Sequence, residues 1–271
     1  MSVKSDPSGQ RSVEAQVEVP GTREQVWQAI ASGPGISSWF VPTTVDGRVG
    51  GATTSNFGPG MESVATITFW EPPHRFEAET VEEPGTVVTE WMVEPCSGGN
   101  CTVRVVHRWS ADSDQWDQQF EGYAHGWRDF FRLLGLYLTH FRGQPCAAFQ
   151  LMGMAPEPKQ EAWAALTAAL GFSGIAVGER VESTPGAPPL AGLVERVGEE
   201  AYPEELLLRL DKPAPGLAHL FAMPMDGQVI LSMRVFLYGD GAAAAAARDE
   251  PQWRSWIAER FAAPGLCDAV D

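Results

Sequence analysis

The segment CTVRVVHRW (101–109) carries a histidine among alternating apolar residues, a pattern that could support acid–base chemistry. Successive side chains of a β-strand point to opposite faces. Arg104 and Arg108 share one face and favour solvent, so His107 and Trp109 are predicted to point inward. A histidine titrates near neutral pH, so His107 could act as a general acid or base, or anchor a ligand. A hydrogen-bonded histidine of the core is the alternative.

Aromatic side chains supply the other candidates. In VVTEWMVEP (87–95), alternation places Thr89 and Trp91 inside and the two glutamates outside. Aromatic rings with a few polar tips suit a pocket for a small molecule, although each ring could equally be core. The predicted ligand-binding residues are Trp39 and Phe40 on a short helix, Phe57 on a strand, Thr89, Trp91, His107, Trp109, and Tyr123, Trp127 and Phe130 on a long helix.

These residues are positioned by a regular succession of predicted elements. A strand at 12–19 precedes a helix for which Thr22 is the expected N-cap. Six strand-like runs follow, separated by Gly- and Pro-rich turns: 43–49, 52–57, 62–70, 74–81, 86–94 and 101–110. A long amphipathic helix with an aromatic face, GYAHGWRDFFRLLGLYLTHF (122–141), closes the series. This order predicts an α+β fold.

The second half of the chain repeats the first. Trp27 corresponds to Trp163, and the strand pattern of 74–109 returns in 204–239. The second copy is trimmed, since a Pro-rich stretch at 183–192 replaces much of the early meander. We therefore predict two domains, at 12–142 and 145–264, with the functional site in the first.

Charge and composition narrow the partners. The chain has 271 residues with 19 basic and 35 acidic side chains, a net charge of −16. Such a charge repels nucleic acid and anionic membranes, so neither is expected as a partner. No apolar run is long enough to span a bilayer and the N-terminus does not resemble a signal peptide, so a cytoplasmic protein is expected.

Cysteine and motif patterns predict neither a metal nor a cofactor. The four cysteines have no zinc-site spacing, and there is no nucleophile elbow or phosphate-binding loop. Cys96 and Cys101 flank a turn-like SGGN, where two thiols are favoured over a cross-hairpin disulfide.

The first half resembles the START-like, helix-grip (SRPBCC) superfamily, in particular the branch named after the activator of heat-shock-protein-90 ATPase. The resemblance covers about 12–142 and rests on REQVWQAI, ISSWF, GRVGG, ITFWEPPHRFEAE, VTEWMVEP, CTVRVVHRW and GWRDFFRLLGLYL. It implies a curved antiparallel sheet wrapped around a long C-terminal helix, with an apolar cavity between them. The internal repeat implies that this fold is present twice.

Three functions are compatible with this reading, and whether the protein is an enzyme stays open. The first is binding of a small apolar or aromatic molecule in the cavity. The second is a cavity-based cyclase, aromatase or hydrolase, with His107 or His125 as acid and base. The third is a chaperone-associated role, suggested by the family name alone; a chaperone partner is not expected, and a homodimer stays an open arrangement.

Overall fold

The computed structural model describes residues 4–5, 11–58, 60–82, 85–95, 97–110, 117–156, 158–200, 202–225 and 227–262, and within 117–140 it describes side chains from Gly126 onward. The chain forms two compact units, Met1–Gly143 and Gln144–Asp271.

The first unit contains three helices and eight strands within its described residues. The elements are β1 (Lys4–Ser5), β2 (Arg11–Pro20), α1 (Arg23–Ala31), α2 (Gly33–Ile36), β3 (Thr43–Val45), β4 (Ala52–Asn56), β5 (Glu62–Glu71), β6 (Arg75–Glu82), β7 (Gly85–Pro95), β8 (Asn100–Ser110) and α3 (Asp117–His140).

The eight strands form one curled antiparallel sheet in the order β1-β2-β8-β7-β6-β5-β4-β3. Helix α3 packs against β2, and α1 packs against β7 and β8. A register shift between Ile67 and Phe69 bends β5 against β6, which adds to the curl of the sheet. Helix α1 begins with a capping box, in which Thr22 and Gln25 satisfy each other's backbone N–H groups. The expected N-cap is therefore present.

Some predicted boundaries were wrong. The run 43–49 ends as a strand at Val45, because the chain turns through Gly50, whose φ is +79°. Trp39 and Phe40 follow α2 rather than lie on it, and Phe57 comes directly after β4. Local turns end these elements early, and the alternation of apolar and polar residues does not reveal such turns.

The second unit has its own sheet and helices. The elements are β9 (Cys146–Pro156), α4 (Lys159–Leu170), β10 (Arg180–Glu182), β11 (Ala191–Glu199), β12 (Tyr202–Lys212), β13 (Gly216–Met225), β14 (Gln228–Tyr238) and α5 (Ala242–Arg260). The sheet order is β10-β11-β12-β13-β14-β9, and α5 packs against β9 and β14. Among the described residues between α4 and β10 there is no helix corresponding to α2.

The sheet registers establish the repeat. Reading from β2 in the first sheet and from β9 in the second, the strands follow the same antiparallel order. In the first sheet, Phe76, Trp91 and Val105 lie side by side across three strands. In the second sheet, the corresponding row is Leu206, Leu220 and Met233. The predicted α+β helix-grip fold, present twice, is confirmed.

The register also corrects the repeat as read from sequence. An equal-length comparison would match Trp91 with Phe221, one residue beyond its structural counterpart Leu220. Phe76 and Trp91 are 15 positions apart (91 − 76), whereas Leu206 and Leu220 are 14 apart (220 − 206). The whole segment between the two matched positions, strand ends and turn together, is thus one residue shorter in the second unit. Because a one-residue shift exchanges the two faces of a strand, the register is needed to show which residues of the second sheet match the inward residues of the first.

Candidate functional site

Trp39 anchors a cluster of aromatic rings on the inner side of the first sheet. It is 0% exposed, and its indole N–H donates to the Ala29 carbonyl oxygen at 2.9 Å. Its ring centroid lies 6.3 Å from that of Trp91, which is 5% exposed on β7. This pair joins the segment after α2 to the sheet and forms the buried layer of the cluster.

Phe40 joins that buried layer to helix α3. Its ring is stacked on Trp127 at 5.2 Å and lies 4.3 Å from Phe130, both on α3. Phe57 packs edge-on against Phe40 at 5.5 Å. Phe40 is buried, whereas the three rings around it are partly exposed. The cluster therefore has a solvent-accessible side formed by Phe57, Trp127 and Phe130.

His107 lies next to the solvent-accessible side of the cluster, and both of its ring nitrogens form hydrogen bonds. Its Nδ1 is 2.9 Å from the Thr89 hydroxyl oxygen, and Trp127 Nε1 donates to its Nε2 at 2.6 Å. Thr89 and His107 are register neighbours on β7 and β8, while Trp127 reaches the pair from α3. The predicted alternation therefore places Thr89, Trp91 and His107 on one face.

Burial lowers the pKa of His107 from 6.5 to about 4. The imidazole is therefore neutral at neutral pH, and the Nε2 lone pair accepts the Trp127 N–H. A general base needs a free lone pair and a pKa near the working pH. The arrangement thus favours a structural or ligand-positioning role for His107 over the acid–base role considered from sequence.

Charged side chains on the opposite face of the sheet pair with each other. Glu90, 3% exposed, forms ion pairs with Arg108 and, at 3.1 Å, with Arg75. Arg75 and Arg108 also contact Glu77, at 3.0 and 3.7 Å. Arg75 and Arg108 therefore face away from the rings. Ion pairs with Glu77 and Glu90, rather than full exposure to solvent, stabilise their charges.

Eight of the ten predicted residues lie together in this cluster. They are Trp39, Phe40, Phe57, Thr89, Trp91, His107, Trp127 and Phe130. Trp109, 1% exposed, lies further along the same face of β8, opposite Val87. Tyr123 lies on α3, but its side chain is outside the described residues.

The sequence reading missed Phe76 and Phe131 as members of the cluster. Phe76 is stacked on Trp91 at 6.2 Å, directly opposite it in the register of β6 and β7. Phe131 lies 6.3 Å from Trp91 and 5.7 Å from Trp127. Alternation along β6 could have identified Phe76, because it shares the inward face with Ala78, which is also buried.

Each unit has a cavity or groove among its described residues. One, of about 190 Å³, lies between β2 and α3 and is lined by Ala15, Gln16, Val17, Arg128, Phe131 and Arg132. The other, a groove of about 690 Å³ in the second unit, separates the Pro-rich loop 183–189 from the end of α5. Trp256 and Arg260 hold that loop by donating to the Gly186 carbonyl oxygen at 2.8 and 3.3 Å.

Metal ligands do not converge anywhere in the described part of the chain, where no three His, Cys, Asp or Glu side chains are grouped. Over the same residues, no helix is both long and apolar enough to cross a membrane.

The fold of the first unit, a curled antiparallel sheet with a long closing helix and aromatic residues between them, is that of a helix-grip domain. Residues 10–134 match the family model described as "Polyketide cyclase / dehydrase and lipid transport". The first unit accordingly belongs to the START-like helix-grip (SRPBCC) superfamily, and the second unit repeats its fold.

Several solved structures are similar to the chain. The di-domain ARO/CYC protein BexL from the BE-7585A biosynthetic pathway is 13% identical, with 93% of this chain and 99% of that chain covered and a TM-score of 0.44. DynU16, a putative protein of the dynemicin biosynthetic locus, is 16% identical, with coverages of 93% and 96% and a TM-score of 0.42. CalU16 from Micromonospora echinospora is 20% identical, with coverages of 51% and 83% and a TM-score of 0.41.

No curated protein matches the chain by sequence. The narrower resemblance to the activator of heat-shock-protein-90 ATPase is not confirmed, because the matching family model is the polyketide cyclase one. An Aha1 dimer from Colwellia psychrerythraea is among the similar structures, at 16% identity and a TM-score of 0.40. That branch stays a prediction.

Proposed function

We propose that the first unit binds a small apolar or aromatic molecule between its sheet and helix α3. The observation that carries this proposal is the set of partly exposed rings, Phe57, Trp127 and Phe130, around the buried Phe40. Rings exposed on one side and supported on the other offer a flat, rigid surface on which a planar ligand can stack.

Two further features bear on this proposal. The cavity of about 190 Å³ lies between β2 and α3, and Phe131 of the aromatic cluster is among its lining residues. The description of the matching family includes lipid transport, and lipids are largely apolar molecules. We infer that the ligand of this chain belongs to the same chemical range.

Native mass spectrometry of the freshly purified chain tests this proposal directly. A mass above that of the denatured chain, lost on denaturation, would reveal a retained ligand and its identity. Titration with the neutral fluorophore N-phenyl-1-naphthylamine tests the site itself. We expect saturable binding at one site per chain. The absence of both a retained ligand and saturable dye binding would contradict the proposal.

A matched pair of tryptophan variants locates the site. Trp127→Ala removes a ring of the exposed side and should weaken binding of the fluorophore about tenfold. Trp163→Ala removes a partly buried tryptophan on α4 in the second unit and should leave the affinity unchanged. Equal losses in the two variants would place the binding outside the proposed site.

A polyketide cyclase or dehydrase is the second candidate, and the description of the matching family favours it. Such an enzyme would hold a carbonyl-rich chain against the aromatic rings and polarise its carbonyl groups. With His107 neutral and engaged at both nitrogens, acid–base steps would depend on other groups or on water. Turnover of an aromatic polyketide precursor that persists in His107→Gln would support this version; turnover abolished in that folded variant would restore His107 as the acid–base residue.

A further inference from the structure

The outer face of the first sheet has a charged part and an uncharged part. In the charged part, on β6, β7 and β8, Glu90 forms ion pairs with Arg75 and Arg108. Toward the β3 edge, threonine and valine occupy the outward positions. We call six of these residues the threonine–valine patch: Thr44, Thr54, Val64, Thr66, Val81 and Thr86.

Strands β3, β4 and β5 form one half of the patch. Thr44, Thr54 and Val64 lie directly opposite one another in the register of these strands. Ile67 lies an odd number of residues beyond Val64 on β5 and is fully buried in the core. Because side chains an odd number of residues apart point to opposite faces, the patch is on the outer face, away from the aromatic cluster.

Strands β6 and β7 continue the patch. Val81 lies opposite Thr86 in their register. Thr66 on β5 pairs with Glu79 on β6, and Val64 and Val81 each lie two residues from that pair. Since residues two apart share a face of a strand, the patch is continuous from β3 to β7.

The patch is open to solvent. Val81 is 77% exposed and Val64 is 54% exposed, and Val81 is the most exposed large hydrophobic side chain in the described part of the chain. A strand added at the β3 edge would not reach Val81, so a partner must lie flat on the face and contact side chains. Threonine and valine are stiff at χ1, so such a contact costs little side-chain entropy.

Charge identifies the partner that fits this surface. The chain has a net charge of −16, so two copies repel each other over most of their surface. The six residues of the patch carry no charge, and Glu62 and Glu79 lie at its borders. A two-fold axis can therefore bring two patches together with these carboxylates at the rim. A basic partner would instead be attracted to the acidic surface outside the patch.

We propose that two copies of this chain associate face to face through the threonine–valine patch. Five strands span about 19 Å, so the contact buries less than the roughly 800 Å² per partner of a standard interface. The dimer is therefore weak and reversible, with a dissociation constant of about 10–100 µM. The proposal is independent of the proposed ligand site, which lies on the other face of the sheet.

Sedimentation velocity of the intact chain at about 1–500 µM tests the surface. Val64→Glu and Val81→Glu each place a carboxylate from both copies in the contact, and should weaken dimerisation at least about tenfold. Val177→Glu makes the same change at a valine that is 60% exposed in the second unit, and should alter dimerisation less than about twofold. The affinity for N-phenyl-1-naphthylamine should be unchanged in all three variants, which separates this test from that of the ligand site.

Ionic strength provides a second test that needs no variant. Raising the salt concentration from about 0.05 to about 0.5 M screens the repulsion between two acidic chains, and should tighten the dimer several-fold. An interface held by ion pairs would loosen instead, and that result would overturn the proposal. A chain that stays monomeric at about 500 µM at both salt concentrations would also overturn it. So would a dimer that Val64→Glu and Val81→Glu weaken no more than Val177→Glu does.

Discussion

The inner faces of the two sheets differ at matched register positions. In the first unit these positions hold Thr89, Trp91, His107 and Trp109. In the second unit they hold Ala218, Leu220, Val235 and Leu237. The second set belongs to a continuous hydrophobic core with α4 and α5. Because the fold needs only an apolar inner face, aliphatic residues satisfy it, and the polar and aromatic residues of the first unit point to an additional role.

The two units also differ where the first helix meets the sheet. In the first unit, Arg23 at the start of α1 lies 3.3 Å from His74, just before β6. In the second unit, Lys159 at the start of α4 forms an ion pair at 2.7 Å with Glu204, which is 3% exposed. The same contact is thus made with different chemistry. At this contact the second unit has an ion pair with a buried carboxylate, whereas the first unit has a contact between Arg23 and His74.

The largest effect on stability is expected for a substitution of Trp39, because this residue lies in the segment that the second unit lacks. Trp39→Ala should lower the free energy of unfolding by about 3–5 kcal/mol, since a fully buried indole and its hydrogen bond to Ala29 are lost. Urea unfolding of the intact chain, followed by fluorescence, measures the change. A loss below about 1 kcal/mol would show that the segment after α2 is not part of the core of the first unit.

His107 gives the first unit a pH dependence that its aliphatic counterpart cannot have. The pKa is about 4 in the folded protein and 6.5 when unperturbed, so the unfolded chain binds more protons between these values. Stability is therefore fully present above about pH 6.5 and falls by about 3 kcal/mol as the pH drops to 4.

His107→Val, which copies Val235 of the second unit, should flatten this part of the pH profile. Urea unfolding of both proteins at several pH values between 4 and 7.5 measures the slopes, with each protein compared with itself at neutral pH. Parallel slopes in the two proteins would show that His107 is not the buried neutral group inferred from its contacts.

The contact between the first helix and the sheet predicts a smaller difference. Lys159→Met leaves the Glu204 carboxylate buried without its ion pair, and should cost about 2 kcal/mol of unfolding free energy. Arg23→Met removes only an exposed contact with His74 and should cost less than about 0.5 kcal/mol. Both are measured by urea unfolding at neutral pH. Equal costs would show that the contact stabilises the two units alike.

Helix capping predicts the smallest difference. Thr22 caps α1 with its side chain, whereas Pro158 at the start of α4 makes no side-chain cap. Thr22→Ala should cost about 1 kcal/mol, and Pro158→Ser should gain a few tenths to about 1 kcal/mol by adding a cap. Thermal unfolding of each variant against the parent measures both. A destabilising Pro158→Ser would mean that the rigid proline contributes more than a hydroxyl cap.

Much of the fold could be predicted because its signals are local. Alternation identified the long strands, such as 86–94 and 101–110, within one residue of β7 and β8. The same period placed Thr89, Trp91 and His107 on one face. It failed at 43–49, where the turn through Gly50 ends the strand, and at Trp39 and Phe40, which lie in irregular backbone after α2.

By itself, the sequence determined the order of elements, the doubled fold and the inward faces of the first sheet, because these follow from local periodicity and repetition along the chain. Tertiary structure alone decided the contacts of those faces. The stacking of Phe40 on Trp127, the locking of His107 by Trp127 and Thr89, and the match of Trp91 with Leu220 join residues far apart in sequence. Such contacts depend on sheet curl, hairpin length and helix placement, which no local pattern encodes.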